Sequence, residues 1–408
     1  MPSVVASIPY AEVIAPQSQQ ADPAELLRRQ CWPSVAKAGH ERLRPLRLPS
    51  AVATLGFNME DVREVFARLA GDPAIKKRPY LRTYVDGQLV PSLERKIWQS
   101  PIDEQSSFDA WFKRVFEHER SGLILNGAER WALGASQKVA RWLQPKIEEA
   151  DPLRLCLEIV LFAGDYGFTP FGVHRDEPCA SVIHFNLGPN AKDIYIFEHE
   201  GAQGNPPSIQ DATRYCVAPG DGFVLPANYA HIGDAAAFSV DISCKLMFRD
   251  DEAALALATA HLHDGKGDVP GADLEELLLR RLGAAGRDEP VGATVEHWMT
   301  AARLRARSNS LFVGTPIEAE VLWAEDSVLS ANNWFPVVLH ESDGRLTLFS
   351  RGKSLTLTGG DNLRAAMQDL RDGRQMQVRE LLQRCGSSLT SRALVDFLVA
   401  SRGVAVSS

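Results

Sequence analysis

The sequence predicts a mostly β core with α-helical additions. From Leu153 onward, short apolar segments are separated by Gly, Pro, Asn and Asp, and many short strands at this spacing are typical of an antiparallel sandwich or barrel. Before and after this region, apolar residues recur at helical spacing, which predicts helices. The predicted strands are "LRLCLEIVLFA", "SVIHFNL", "DIYIFE", "RYCVA", "GFVLP" and "FSVDISCKLMF".

Three helices are predicted ahead of the strands. "NMEDVREVFARLA" begins at Asn58, a good N-cap, and "SSFDAWFKRVFEH" has Ser107 as its expected cap. "SQKVARWLQPKI" looks similar, with Ser136 as its expected cap. Residues 1–45 have weak periodicity and predict an extended or partly helical arm. The core domain is therefore expected to span residues 46–250.

Two further modules follow the core. Residues 251–308 predict helices with apolar stripes, which suit either a small bundle or a dimer interface, and we expect a homodimer. Residues 309–408 predict a hairpin turning at Ser342-Asp343-Gly344 and three short helices, a winged-helix-like arrangement. From Ala301 to Ser408 there are 13 Lys/Arg and 11 Asp/Glu. This balance favours assembly or substrate capture over nucleic-acid binding.

Composition narrows the class of protein. The formal net charge of −8 gives no overall basic surface for nucleic acid, and 45% apolar residues is ordinary for a globular chain. The six cysteines are scattered without a CxxC pair, which fits a reducing compartment. We find no secretory signal and no apolar run long enough to span a membrane. A cytoplasmic location without a membrane partner is therefore expected.

A metal site is predicted from three residues. In "FGVHRDEP", His174 and Asp176 lie two positions apart on an expected strand, so both side chains point to one face. His231 follows a "PGDGFVLP" turn and strand, and a barrel can bring it beside them. Two histidines and one carboxylate form the facial triad of non-haem Fe(II) oxygenases, which leaves coordination positions open.

The order of these motifs resembles the JmjC-type, cupin-fold 2-oxoglutarate oxygenases over roughly residues 46–250. The resemblance implies a double-stranded β-helix (jelly-roll) barrel in which His174, Asp176 and His231 hold Fe(II), with 2-oxoglutarate and O2 as co-substrates. The helical segment and tail resemble the bacterial subgroup that hydroxylates ribosomal proteins. The implied activity is hydroxylation of a protein or peptide side chain, with release of succinate and CO2.

The resemblance also implies residues that bind 2-oxoglutarate. In "LGPNAKDIYIF", Lys192 matches the basic residue that pairs with the far carboxylate, and Lys245 on the last barrel strand is the competing candidate. Thr169 lies in a "TP" similar to one that contacts the co-substrate in the family. His184 and Asn186 share a strand face and could line the barrel. Further polar candidates of lower rank are Tyr195, Asp241 and Ser243.

Other functions stay open at this point. The substrate could be a small amino acid or a natural-product intermediate instead of a peptide. A metal cupin without oxygenase activity would need a further ligand, and Glu177 and His184 are the nearby residues. A winged-helix ligand sensor is the remaining alternative, although the near-neutral tail argues against DNA binding.

Overall fold

The computed structural model describes eleven stretches of the chain: residues 22–36, 44–70, 80–103, 106–117, 120–177, 179–197, 208–249, 291–342, 344–358, 360–386 and 389–407. The first part of the predicted helical segment, residues 251–290, lies outside these residues. All structural statements below concern the described stretches.

Two antiparallel sheets form the core domain. The larger sheet has the order β1-β10-β7-β12-β5-β4-β2-β3, and the smaller has the order β6-β11-β8-β9. This jelly-roll arrangement of antiparallel strands, with helices added, confirms the predicted fold class. The strands are β1 (Leu46–Leu48), β2 (Leu81–Val85), β3 (Gln88–Leu89), β4 (Ser121–Leu125), β5 (Leu155–Gly164), β6 (Gly167–Phe168), β7 (Ala180–Pro189), β8 (Lys192–Phe197), β9 (Thr213–Val217), β10 (Gly222–Leu225), β11 (Ala230–Ala235) and β12 (Ser239–Phe248).

Alternation along the central strands separates a helix-covered face from a cavity face. In β5, Leu157, Ile159 and Leu161 belong to the main hydrophobic core. The residues between them, Glu158 and Val160, line a cavity on the other face. Because side chains alternate along a strand, the same period of two recurs in β7 and β12. The cavity lies between the large sheet and β8 and β11 of the small sheet.

Helices cover the outer face of the large sheet. Asn58 caps its helix through a capping box with Asp61, and Ser107 accepts the N–H of Ala110, so both predicted caps are confirmed. The prediction for Ser136 is wrong: its helix starts earlier, at Leu133, and the Ser136 hydroxyl donates to the Ala132 carbonyl. The helices of this domain are α1 (Pro23–Ala36), α2 (Ala51–Leu55), α3 (Met59–Leu69), α4 (Ser92–Gln99), α5 (Phe108–Phe116) and α6 (Leu133–Glu149).

The N-terminal helix is part of the main core. Leu27 and Cys31 of α1 are buried in it, and the Trp142 indole N–H donates to the Ala24 carbonyl. The described end of the predicted arm is therefore helical and packed against α6.

The C-terminal part encloses a second hydrophobic core. Its hairpin pairs Ser342 with Arg345, and three helices follow, as the sequence predicts. The elements are α7 (Val291–Ser308), β13 (Val328–Ala331), β14 (Val338–Ser342), β15 (Arg345–Ser350), β16 (Lys353–Thr358), α8 (Asp361–Arg371), β17 (Met376–Gln377), α9 (Val378–Arg384), α10 (Leu389–Ala400) and β18 (Val404–Ser407).

A buried carboxylate joins β5 to the segment that follows α7. Glu129 accepts the backbone N–H of Ile159 in β5 at 2.8 Å and that of Gly314 at 2.7 Å. Burial, with a smaller contribution from the nearby Glu158, raises the pKa of Glu129 to about 7.

No helix among the described residues has the length and hydropathy needed to cross a membrane.

A close backbone approach next to the cavity gives a stability prediction. Gly164 has φ +144°, and a Cβ there would lie 2.2 Å from the Ser121 carbonyl oxygen. Gly164→Ala should therefore lower the free energy of unfolding by about 2–4 kcal/mol, through overpacking and backbone strain. Gly373→Ala is the matched control, since Gly373 also has positive φ (+86°) but no atom within 4 Å of the added Cβ. Urea denaturation of both variants tests this, and equal losses would contradict it.

Candidate metal centre and cavity

Three side chains converge at one end of the cavity. One ligand atom from each of His174, Asp176 and His231 lies within 4.8 Å of the others. The two imidazole centroids are 4.2 Å apart. Among the described residues this is the group whose geometry could hold a metal ion.

The segment that carries His174 differs from the sequence expectation. Instead of a continuous strand, His174 forms an isolated bridge with His231, in which each residue donates its N–H to the other's carbonyl, at 3.1 and 2.8 Å. Pro170 lacks an N–H for a ladder, and Gly172 has φ +71°, so the pairing with β11 is interrupted between Thr169 and His174. The single bridge is enough to fix both histidines.

Backbone contacts set the orientation of both imidazoles. The Nδ1 of His174 lies 3.1 Å from the Gly172 carbonyl, and the Nδ1 of His231 lies 3.1 Å from the Tyr229 carbonyl. Nδ1–H donation to these carbonyls leaves each Nε2 with a free lone pair. Burial and the neighbouring His174 lower the pKa of His231 to about 4, so its imidazole is neutral at neutral pH. Two imidazoles and a carboxylate suit a divalent cation.

The cavity has a volume of about 820 Å³. Of the sequence-predicted residues, Thr169, His184, Lys192 and Lys245 line it together with the three candidate ligands. Its walls also include apolar side chains, namely Val160, Phe162, Phe171, Val182 and Ile194.

Lys192 is buried at the inner part of the cavity, with 5% of its side chain exposed. Its ammonium donates to the Asp241 carboxylate, which is 2% exposed, and to the Tyr166 hydroxyl. Burial alone would lower the pKa of Lys192, but Asp241 and Tyr166 hold it above its usual value. The ammonium also lies 4.8 Å from the centroid of the Phe162 ring.

Lys245 lies in a different part of the cavity. It forms an ion pair with Glu177 at 2.5 Å, and Glu177 is 60% exposed. Lys245 is four residues beyond Asp241 on β12, which places it about 14 Å along the strand from the partner of Lys192. The two candidate lysines are therefore well separated.

Two further predicted residues have different surroundings. The Nδ1 of His184 is hydrogen-bonded to the Ser243 hydroxyl at 2.8 Å, and burial lowers the pKa of His184 well below its usual value. Asn186 corrects the expectation that it lines the barrel. It is fully buried, and its amide donates to the carbonyls of Asn190 and Val217 while its oxygen accepts the Gly188 N–H. These contacts stabilise the β7–β8 turn and use both polar atoms of the Asn186 amide, so this side chain does not face a ligand in the cavity.

Sequence reasoning missed several residues of the cavity. Glu158 lines it, accepts the Gly127 N–H at 3.1 Å, and has its pKa raised by burial. An acidic residue alone in the apolar run "LRLCLEIVLFA" was the available signal. Arg82 and Asn126 also line the cavity. The sequence around each of them contains no recognisable motif, so neither could be identified from the sequence.

No protein-family model and no curated protein matches the sequence. Among solved structures, the chain is similar to YcfD, a ribosomal oxygenase from Escherichia coli, in complex with cobalt and 2-oxoglutarate (15% identity, TM-score 0.47). A YcfD complex with cobalt and succinic acid gives 15% identity and a TM-score of 0.44, and both matches cover 92% of this chain and 98% of that chain.

A smaller match is to KdgF from Halomonas sp., with 18% identity and a TM-score of 0.17, covering 24% of this chain and 73% of that one. At these identities and TM-scores, the chemistry of the site has to be derived from its own residues.

The geometry gives a test of the metal centre. Asp176→Ala removes one candidate ligand and its negative charge, so Mn²⁺ or Co²⁺ affinity should fall about 100-fold or more. Glu177→Gln is the matched control, because Glu177 is adjacent in sequence but pairs with Lys245. Calorimetric titration with either ion measures both. Equal metal binding by Asp176→Ala and the unsubstituted protein would contradict the assignment.

Proposed function

We propose that this protein is an Fe(II)- and 2-oxoglutarate-dependent oxygenase that hydroxylates a side chain of a protein or peptide, releasing succinate and CO2. The observation that carries this proposal is the spacing between the His174–Asp176–His231 group and the buried Lys192. One end of the cavity offers metal ligands, and the other offers a cation for a carboxylate.

The ligand group fits a divalent iron. Two Nε2 atoms and one carboxylate would hold the ion and leave positions for other ligands. Bound Fe(II) supplies the redox chemistry that couples decarboxylation of 2-oxoglutarate to oxidation of a C–H bond with O2. The protein's contribution is to bind, to orient and to exclude water.

The distance from the metal ligands to Lys192 suits 2-oxoglutarate. Gly233 follows His231 by two residues on β11, so it faces the same side about 7 Å further along the strand. The Lys192 Cε lies 3.4 Å from the position that a Cβ on Gly233 would occupy. A co-substrate held at the metal end by its 2-oxo acid group could therefore extend its two methylene groups over Gly233 and present its far carboxylate to Lys192.

Thr169 is suited to a second contact with that carboxylate. Its hydroxyl oxygen accepts the Gly233 N–H at 3.3 Å, and its methyl group lies 3.6 Å from the Gly233 Cβ position. Because the oxygen is the acceptor there, the hydroxyl hydrogen is available to a ligand. Thr169 and Lys192 thus converge on the same part of the cavity.

The apolar walls support oxidative chemistry. Val160, Phe162, Val182 and Ile194 surround the path between the metal ligands and Lys192. Such walls exclude water and strengthen the pairing of Lys192 with a carboxylate, since electrostatic interactions are stronger in a low-dielectric site.

The mouth of the cavity suits part of a larger substrate. Phe171, Arg175 and Glu177 are exposed at the rim, and His174 and Asp176 are half-buried beside them. An open mouth next to the metal ligands would admit a side chain while the rest of a peptide stays outside. A small amino acid or natural-product intermediate is the competing substrate class.

Two observations weigh against the other functions. A non-oxygenase cupin would need a further ligand, yet Glu177 pairs with Lys245 and His184 with Ser243. In the described chain, the ligand group has three members. The ligand-sensor alternative gains no support from the near-neutral tail. The winged-helix identity of the tail, the homodimer and the cytoplasmic location stay predictions.

The proposed activity predicts succinate formation. The Fe(II)-loaded protein should convert 2-oxoglutarate to succinate in the presence of O2, and a matching peptide should accelerate this conversion. Mass spectrometry of a peptide panel and of free amino acids, looking for a gain of one oxygen atom, identifies the substrate class. No succinate from any mixture, with metal bound, would contradict the proposed function.

Lys192 and Lys245 predict separable kinetic effects. Lys192→Ala should raise the KM for 2-oxoglutarate about tenfold or more, with little change in metal affinity, because it removes binding energy and not a metal ligand. Lys245→Ala, the matched control at the other lysine, should change this KM much less. The reverse pattern would move the carboxylate site to Lys245.

A further inference from the structure

We propose that Asp241 is a positioning residue that keeps the Lys192 ammonium charged and directed at the co-substrate, so that 2-oxoglutarate binds without taking up a proton. The inference rests on the proposed function, because it concerns the residue assigned to the far carboxylate. Its evidence is the buried ion pair, the position of Asp241 on β12 and the charges around Lys192.

A buried ammonium needs a compensating charge. Lys192 is 5% exposed and Asp241 is 2% exposed, so neither charge is well solvated. Removing one member of such a pair leaves the other buried and uncompensated, which is strongly unfavourable. A lysine in that position loses its proton more easily than it remains an isolated cation.

Strand alternation places Asp241 on the cavity side of β12. Ser243 and Lys245 line the cavity, and Asp241 lies two residues before Ser243, so the three side chains point to the same side of the strand. From this side the Asp241 carboxylate contacts Lys192.

The other groups facing Lys192 are not anions at neutral pH. Tyr166, between β5 and β6, is buried, and burial raises the pKa of its hydroxyl. His184 on β7 and His231 on β11 cannot supply a negative charge, because an imidazole is either neutral or cationic. Asp241 is therefore the neighbouring anion that stabilises the ammonium while the cavity awaits its carboxylate.

The number of donors leaves room for the co-substrate. An ammonium has three N–H groups, and Asp241 and Tyr166 accept from it. A further N–H can serve a ligand carboxylate in the cavity that Lys192 lines. Because Lys192 stays protonated in the empty site, the incoming dicarboxylate does not have to bring a proton.

Without the Asp241 charge, binding becomes coupled to protonation. Burial would then lower the pKa of Lys192, so the side chain would be neutral in the empty cavity above that pKa. The arriving carboxylate would restore the charge and take up a proton. Affinity would fall up to tenfold for each pH unit above the lowered pKa.

The experiment is calorimetric titration of the anaerobic, Mn²⁺-loaded full chain with 2-oxoglutarate. Measurements between pH 7 and 9 in buffers of different ionisation enthalpy give the number of protons taken up. The unsubstituted protein should take up close to none, and Asp241→Asn should take up as much as one per site. Tyr166→Phe is the matched control, because it removes a hydrogen bond but keeps the Asp241 charge, and it should take up close to none.

Rescue separates this role from a structural one. Arginine stays protonated, so Lys192→Arg combined with Asp241→Asn should abolish the proton uptake. Asp241→Ser is a second charge-removing variant, for use if Asp241→Asn does not fold, and the same uptake is expected.

The outcomes are distinguishable. No 2-oxoglutarate binding by the unsubstituted Mn²⁺ protein would overturn the proposed function and this inference together. Unchanged binding by Lys192→Ala would overturn the Lys192 assignment on which the inference depends. A third outcome concerns Asp241 alone. If the unsubstituted protein binds 2-oxoglutarate and Lys192→Ala does not, but the charge-removing Asp241 variant takes up no proton on binding, the proposed role of Asp241 is overturned.

Discussion

Two backbone hydrogen bonds between His174 and His231 are the contact on which the site depends. They join segments 57 residues apart in the sequence and hold the two imidazoles with centroids 4.2 Å apart. Like-charged imidazolium groups would repel at this separation, and burial lowers the pKa of His231 further. The fold therefore favours a neutral His231 imidazole, the form that ligates a metal.

The other end of the cavity holds a buried cation. Lys192 lies in buried surroundings and forms an ion pair with the Asp241 carboxylate, which compensates its charge. The two ends are connected by β11, which carries His231 and, two residues later, Gly233 next to the Lys192 side chain. A small residue at this position leaves the space between them free for a ligand. Strand β11 thus connects the end of the cavity that carries the metal ligands with the end that carries Lys192.

The sequence predicted the parts of the site that depend on local pattern. A metal site of three residues could be predicted from the spacing of His174 and Asp176 together with the turn before His231. Asn58 and Ser107 could be identified as helix N-caps from their residue type and position. The partnership of Lys192 with Asp241 and Tyr166 depends on how β8 of the small sheet faces β12 of the large sheet, which local pattern does not encode. Asn186 follows His184 by two residues, yet its amide donates to backbone carbonyls near the β7–β8 turn, which local pattern does not encode either. The prediction that Ser136 caps its helix is wrong because a serine inside a helix can donate its hydroxyl to the carbonyl four residues earlier, as Ser136 does to Ala132.

The most direct test of this account is a crystal structure of the anaerobic protein with Mn²⁺ and 2-oxoglutarate. The account predicts one metal ion within about 2.0–2.2 Å of His174 Nε2, His231 Nε2 and an Asp176 carboxylate oxygen, which is the usual length of such metal–ligand bonds. The account also predicts that the far carboxylate of 2-oxoglutarate lies within hydrogen-bond distance, about 2.7–3.2 Å, of the Lys192 ammonium. A metal ion bound at other residues, or a far carboxylate bound at Lys245, would contradict the account.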